Sequence, residues 1–390
     1  MSEPETMELE VGRVQKPALA AGIAGAVVLG GLAVMDPPQF YRSYLLGYMF
    51  WIGVPLGSMA LLMLHHLTGG GWGFVIRRLC EASSRTFLLM AVLFLPIVAG
   101  IRPLYEWARP EWAAVPHSSF NAMYLNRGAF VARAAVYFAV WFLMGTLLSR
   151  WSLEEDRTHD AAMHRKMENL SAPGLVIYGF TVTFASIDWV MSLEPKWISS
   201  IYGMVFVVIQ VLSAMAFLIL VARQLADREP LASVATPSRF HDLGTLLFAF
   251  VMLWAYLSFS QFLIIWSGNL KLEIPWYLER LTGAWAGIAL FLIVFHFAFP
   301  FLLLLNRPLK RRKGSLSLVA GGLLLISAVD VYWLVAPAFF PQGPSVHLAD
   351  LAALVAIGGL WLWAFAGQLR GKPLVPSGDA RLEVAPEHGH

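Results

Sequence analysis

Ten long apolar runs dominate this chain and leave it few ways to fold. They cover residues 17–35, 41–67, 85–101, 128–149, 171–191, 197–222, 243–266, 282–305, 315–337 and 346–369. At 1.5 Å per helical residue, a run of about 20 residues crosses the roughly 30 Å of bilayer hydrocarbon. The runs predict an all-α integral membrane protein with about ten transmembrane helices. Composition agrees: 58% of the 390 residues are hydrophobic and only 14% are charged, where a soluble domain carries roughly 25% charged residues.

The reading divides the chain into an N-terminal segment, 1–16, a transmembrane domain, 17–369, and a tail, 370–390. The first segment is acidic and turns basic only next to the apolar run, unlike a secretory signal, so a retained first helix is expected. The third run is short, and the helical-looking stretch Gly73–Ser84 before it is assigned to the interface. Residues 102–127, rich in Trp, Pro and Glu, form the longest external loop. The Pro, Gly and charges of the tail predict disorder.

Orientation follows from the basic residues. With the N-terminus in the cytoplasm, cytoplasmic segments hold twenty Lys and Arg and the opposite loops seven; Arg133 lies within the fourth run. The strongest segment is Arg307-Pro-Leu-Lys-Arg-Arg-Lys313. The positive-inside rule therefore places both termini in the cytoplasm. The net charge of +3 arises from these loops and gives no reason to expect nucleic acid as a partner.

Several chemistries are excluded. The single cysteine, Cys80, rules out an internal disulfide, a Cys-ligated iron–sulfur cluster and C-x-x-C-H haem attachment. His65, His66 and His296 are the histidines read as lying in or near the spans, too few for two stacked haems. There is no Walker-type phosphate loop and no H-E-x-x-H. No catalytic residue and no metal ligand are assigned.

Ionisable groups in hydrocarbon are costly and mark candidate sites. In the fifth run Tyr178, Thr181, Ala185, Asp188 and Ser192 recur every three or four residues, which lays them along one helix face. Such a stripe can relay protons, with Glu194 just outside; the structural alternative is that Asp188 and Glu194 cap the helix end. Asp330, one turn from Ser327, sits at the same depth as Asp188. His296 lies near mid-membrane, and His65 and His66 at the cytoplasmic end. These residues are the proton-transfer candidates, weighed against ordinary hydrogen-bonded core or interfacial roles. Polar residues of the sixth and seventh runs (Gln210, Ser213, Tyr256, Ser258, Ser260, Gln261) are most simply interhelical hydrogen-bond partners.

Three stretches carry a resemblance: FASIDWVMSLEPKWISSIYG near residue 184, YLSFSQFLIIWSGNLKLEIPWYLER near 256, and HHLTGGGWGFVIRRLCEA from 65. Together they resemble the F subunit of bacterial alternative complex III, within the membrane-anchor family of polysulfide and formate-dependent nitrite reductases. The likeness spans about residues 40–370. It implies ten helices, the central eight forming two four-helix bundles, in the bacterial inner membrane. It also implies a paralogous quinol-binding subunit, an iron–sulfur subunit and c-type cytochrome subunits as partners, which hold the haem c and the clusters. The chain itself would bind no metal or covalent cofactor, and would contribute a quinone- or menaquinone-facing site, a proton path, or both. Matching residues are Asp188, Glu194, Ser260, Gln261, Asn269, His65 and His66. Ser260, Gln261 and Asn269 are the polar-network or quinone-facing candidates. Lys271 and Leu272 stand where the family leads one to expect Pro-Glu, which removes a carboxylate from the outer loop. A secondary transporter and an inert anchor for peripheral redox subunits are the competing classes.

Overall fold

The computed structural model describes the backbone of residues 3–114, 123–379 and 381–384, and side chains from residue 12 onward within those limits, apart from 113–114 and 383–384. The described residues form α1 (Glu3–Met35), α2 (Pro37–Thr68), α3 (Gly71–Ser84), α4 (Phe87–Leu93), α5 (Arg127–Thr158) and α6 (Ala161–Trp189). There follow α7 (Tyr202–Leu225), α8 (Pro237–Gly268), α9 (Gly283–Leu292), α10 (Phe299–Leu305), α11 (Lys313–Val335) and α12 (Leu348–Leu369). A π-helical turn, Ile293–Ala298, joins α9 to α10 as one long helix. Nine helical segments among the described residues are long and apolar enough to cross a membrane, and Gly71–Ser84 with Phe87–Ala99, bent by 41°, makes a tenth when taken as one span. The protein is an all-α, multi-pass membrane protein.

Contacts between loops show that the passage through α3 and α4 is a true crossing. Arg239 lies beside Gly71, Lys310 donates to Thr245 at 3.2 Å, Lys313 donates to the Ala226 carbonyl at 3.1 Å, and Gly378 N–H donates to Asp156 at 3.1 Å. These loops therefore share one end of the bundle, here called the basic end. From it the chain runs along α2, with Tyr48 Oη on the Met90 carbonyl and Tyr44 Oη on the Leu93 carbonyl, at 2.9 and 2.7 Å. It reaches the opposite end at Tyr105, whose hydroxyl donates to the Trp189 carbonyl at 2.9 Å.

The passage does not follow the sequence expectation. The sequence places Gly73–Ser84 at the interface, yet in α3 every residue from Trp72 to Ser84 is buried. It is enclosed by α2, α5, α7 and α12. The remainder, 85–101, is split into α4, Leu95–Ala99 and Ile101–Leu104. Pro96 lacks the amide that would continue the ladder, and Gly100 adopts a non-helical conformation.

Packing follows small residues. Gly22 and Gly25 of α1 press on the backbone of Leu360 and Ala356, so α1 lies antiparallel on α12. Gly57 of α2 meets the Gln210 carbonyl of α7, which joins the α2–α6 half to the α7–α11 half. Such glycines let helix backbones approach where lipid supplies no hydrophobic drive.

The tail also departs from expectation. Leu374, Val375 and Asp379 are buried, so residues 371–379 pack on the basic end rather than being disordered. Two apolar side chains and one carboxylate that meets Arg77 are enough to anchor them. Residue 380, residues 385–390 and residues 115–122 of the long loop fall outside the described residues.

Candidate functional site

Three clusters gather the ionisable groups of the bundle. The first surrounds Asp188 at the end of α6. Asp188 is fully buried and accepts from Arg133 Nε at 2.9 Å, Arg133 Nη2 at 2.8 Å and Tyr137 Oη at 2.8 Å. Arg133 also stacks on the Tyr124 ring, 3.9 Å from its centroid. The face drawn from the sequence is real, but its hydroxyls do not form a chain. Tyr178 donates to Gln210 Oε1 at 3.1 Å on α7, while Thr181 accepts from Trp141 Nε1 at 2.9 Å and donates to the Ile177 carbonyl at 2.8 Å. Ser192 returns its hydroxyl to the Asp188 carbonyl at 2.6 Å. Glu194 is separate: it pairs with buried Arg280 at 2.9 Å, and Arg280 lies over the Trp276 ring at 3.8 Å. An intramembrane Arg133 already demanded a counter-charge, and that was the signal for this pair.

The second cluster lies at the basic end. Arg77 donates to Glu155 and Asp379, both at 2.7 Å, and to Ser152 at 2.8 Å, with Glu81 at 3.3 Å. Arg78 contacts Glu81 at 2.6 Å and also Asp156. His164 Nδ1 lies 3.2 Å from Glu155. Burial raises the Asp379 carboxyl, but the Arg381 hydrogen bond and the Arg77 charge outweigh it and bring the group down to about 2. The ligand atoms of Glu155, His164 and Asp379 are close enough to hold a metal. The Arg77 guanidinium already supplies the positive charge among them, so the arrangement reads as an ion-pair network. Just inside it, His66 Nδ1 is 3.2 Å from Ser171 Oγ, and neither ring nitrogen of His65 has a hydrogen-bond partner. Both imidazoles are fully buried and do not meet the surface directly. Met63 and Met144 crowd Gly174, one turn beyond Ser171, on the way toward Tyr178.

The third cluster unites residues read separately in the sequence. His296 sits in the π-helical turn, a distortion often found at functional positions. Its Nδ1 is 3.5 Å from Asp330 Oδ2 and its Nε2 3.3 Å from Ser327 Oγ. Trp254, which sequence reasoning did not single out, donates to Asp330 at 2.7 Å and packs 4.4 Å from the His296 ring. The missed signal was spacing: Trp254, Ser258 and Gln261 fall four and then three residues apart, on one face of α8. That face lines a cavity of about 700 Å³ between α8, α9 and α11. Asp330, Trp276 and Tyr277 are buried residues of its wall, with half-buried Trp333 among them. Met252, Tyr256, Phe259 and Ile293 line the mouth and are exposed on the bundle's flank. Gln261 Oε1 and Trp333 Nε1 are buried without hydrogen-bond partners. Ser260 and Asn269 do not line this cavity; Asn269, at φ 48°, ends α8.

The fold and clusters define the class of protein: a multi-pass helical membrane protein with paired ionisable groups at both ends. No protein-family model matches the chain, and no curated protein matches it.

Proposed function

We propose that the chain is an integral subunit of a quinol-oxidising respiratory complex, without a redox centre of its own, that offers a quinone-facing pocket beside a proton-handling pair. The cavity lined in part by Asp330 carries this reading. It opens sideways, where a ligand with an isoprenoid tail arrives through lipid, and its walls are aromatic and flat-sided. Gln261 Oε1 and Trp333 Nε1 offer one free acceptor and one free donor, which suits a ring bearing hydroxyl or carbonyl oxygens. Quinol oxidation releases two protons with its two electrons; Asp330 and His296 can hold a proton at Oδ2 or Nδ1, while Trp254 and Ser327 fix their orientation. The electrons would pass to iron–sulfur and haem c groups on partner subunits. In this reading the membrane is the bacterial inner membrane, and the basic end and both termini are cytoplasmic.

Purification from native membranes tests it. The chain should bring haem- and iron–sulfur-containing subunits with it, and a short-chain quinone should quench fluorescence of the pocket tryptophans in a saturable way. Isolation without redox partners, together with no saturable quenching, would favour a secondary transporter and defeat the proposal.

A further inference from the structure

The basic end is closed by a segment with few attachments of its own. Residues 371–379 make only local backbone turns, such as Asp379 N–H to the Pro376 carbonyl, apart from Gly378 N–H to Asp156. Leu374 and Val375 are buried beneath, and Asp379 reaches Arg77. Deeper in lie His65, His66 and Ser171, and Arg381 sits beside Gly69, whose N–H donates to the His65 carbonyl at 2.9 Å. We propose that residues 371–379, with Arg381 beyond them, form a detachable strap that gates water access to the His65–His66 pair.

The charge arrangement makes detachment feasible. Pulling one member from a buried ion pair normally strands its partner. Here Arg77 keeps Glu155 at 2.7 Å and Glu81 at 3.3 Å when Asp379 leaves. Asp379 in turn leaves with its own cation, since Arg381 donates to it at 2.9 and 3.1 Å. Asp156 keeps Arg78 after Gly378 departs. Neither surface is left with an unpaired buried charge. Both nitrogens of His65 and Nε2 of His66 are buried without partners, beside Trp72 and Phe74 of α3, and would gain water if the opened strap admits it. The strap lies far from the α8–α11 cavity, so this proposal stands apart from the quinone reading.

The test uses the full-length chain with Cys80→Ala and Ser171→Cys, which puts a single thiol beside His66. A small water-soluble methanethiosulfonate should label it slowly. Asp379→Asn, and separately the double variant Leu374→Gln, Val375→Gln, should raise the rate roughly tenfold by weakening the closed state. A Ser258→Cys thiol in the distant cavity should keep its rate. Unchanged labelling at Ser171→Cys in both variants would overturn the proposal. So would an equal rise at Ser258→Cys, which reports general loosening rather than a gate.

Discussion

Arg133 holds both oxygens of Asp188, from Nε at 2.9 Å and from Nη2 at 2.8 Å, joining α5 to α6 near the end opposite the basic loops. The two partners are unequally buried: the Asp188 side chain is 0% exposed and that of Arg133 22%. A charge that can reach water survives the loss of its partner better than one that cannot.

Arg133→Gln should therefore destabilise the protein more than Asp188→Asn. Stranding a buried charge costs about 3–5 kcal/mol, and Arg133→Gln should approach that range. Asp188→Asn leaves Arg133 able to turn outward and should cost roughly half as much or less. Thermal unfolding in detergent measures both. The reverse order would mean that Arg133 contributes little to holding Asp188 in place.

The spans were legible because hydrocarbon thickness sets a length that apolar runs must meet. The pairings were not, because nothing local records them. Arg133 finds Asp188 across 55 positions, and Arg77 finds Asp379 across 302. His296, Ser327 and Asp330 were each visible as polar breaks in apolar runs, but their meeting depends on how α9 and α11 pack. Trp254 passed unnoticed since a tryptophan in such a run ordinarily signals an interface. The tail's order is not legible because its Pro, Gly and charges read as disorder, while Leu374, Val375, Pro376 and Asp379 are buried by partners far away in sequence.

Gly25 and Gly57 should resist enlargement. A Cβ on Gly25 would lie 2.7 Å from the Ala356 backbone nitrogen, and one on Gly57 would collide with the Gln210 carbonyl. Backbone cannot yield as a side-chain tip does, so Gly25→Ala and Gly57→Ala should each cost about 1–3 kcal/mol. Gly30→Ala, with nothing nearby, should be neutral. Melting temperatures of the three variants check this; a neutral Gly57→Ala would show that the two halves are less tightly joined than the structure has them.

Acid should release the strap. The Asp379 carboxyl falls from its ordinary 3.8 to about 2 on folding. A depressed carboxylate stabilises the folded state above its unfolded value and loses that contribution as pH falls toward the folded value. Because Arg381 leaves with Asp379, only the part of the depression due to Arg77 and the attached geometry is lost on detachment; the strap should thus be held above about pH 4 and loosen toward pH 2. Pepsin, active across that window, should cleave near Leu374 increasingly at the acid end, after correction against an unstructured peptide of the same sequence. Asp379→Asn should be cleaved already at pH 4. Equal cleavage of both proteins at pH 4 would separate strap attachment from this carboxylate.

The cavity between α8, α9 and α11 makes the most demanding prediction, because its polar atoms and its volume can be altered independently. Ala289 is 8% exposed and lines the wall, so Ala289→Phe places a ring inside a space of about 700 Å³ without displacing a backbone. Quinone binding should be lost while the melting temperature holds or rises, since filling a void restores contacts. Gln261→Leu keeps the shape but deletes the free Oε1, and should weaken binding roughly tenfold, the equivalent of one lost hydrogen bond. Trp254→Phe acts differently. It removes the 2.7 Å donor from Asp330 and leaves a buried carboxylate short of a partner, at a cost in stability of about 1–3 kcal/mol. Quinone titration by tryptophan quenching, run beside thermal unfolding, separates the three variants. If Ala289→Phe binds quinone as well as the parent, the ligand site lies elsewhere and the Asp330–His296 pair serves another purpose.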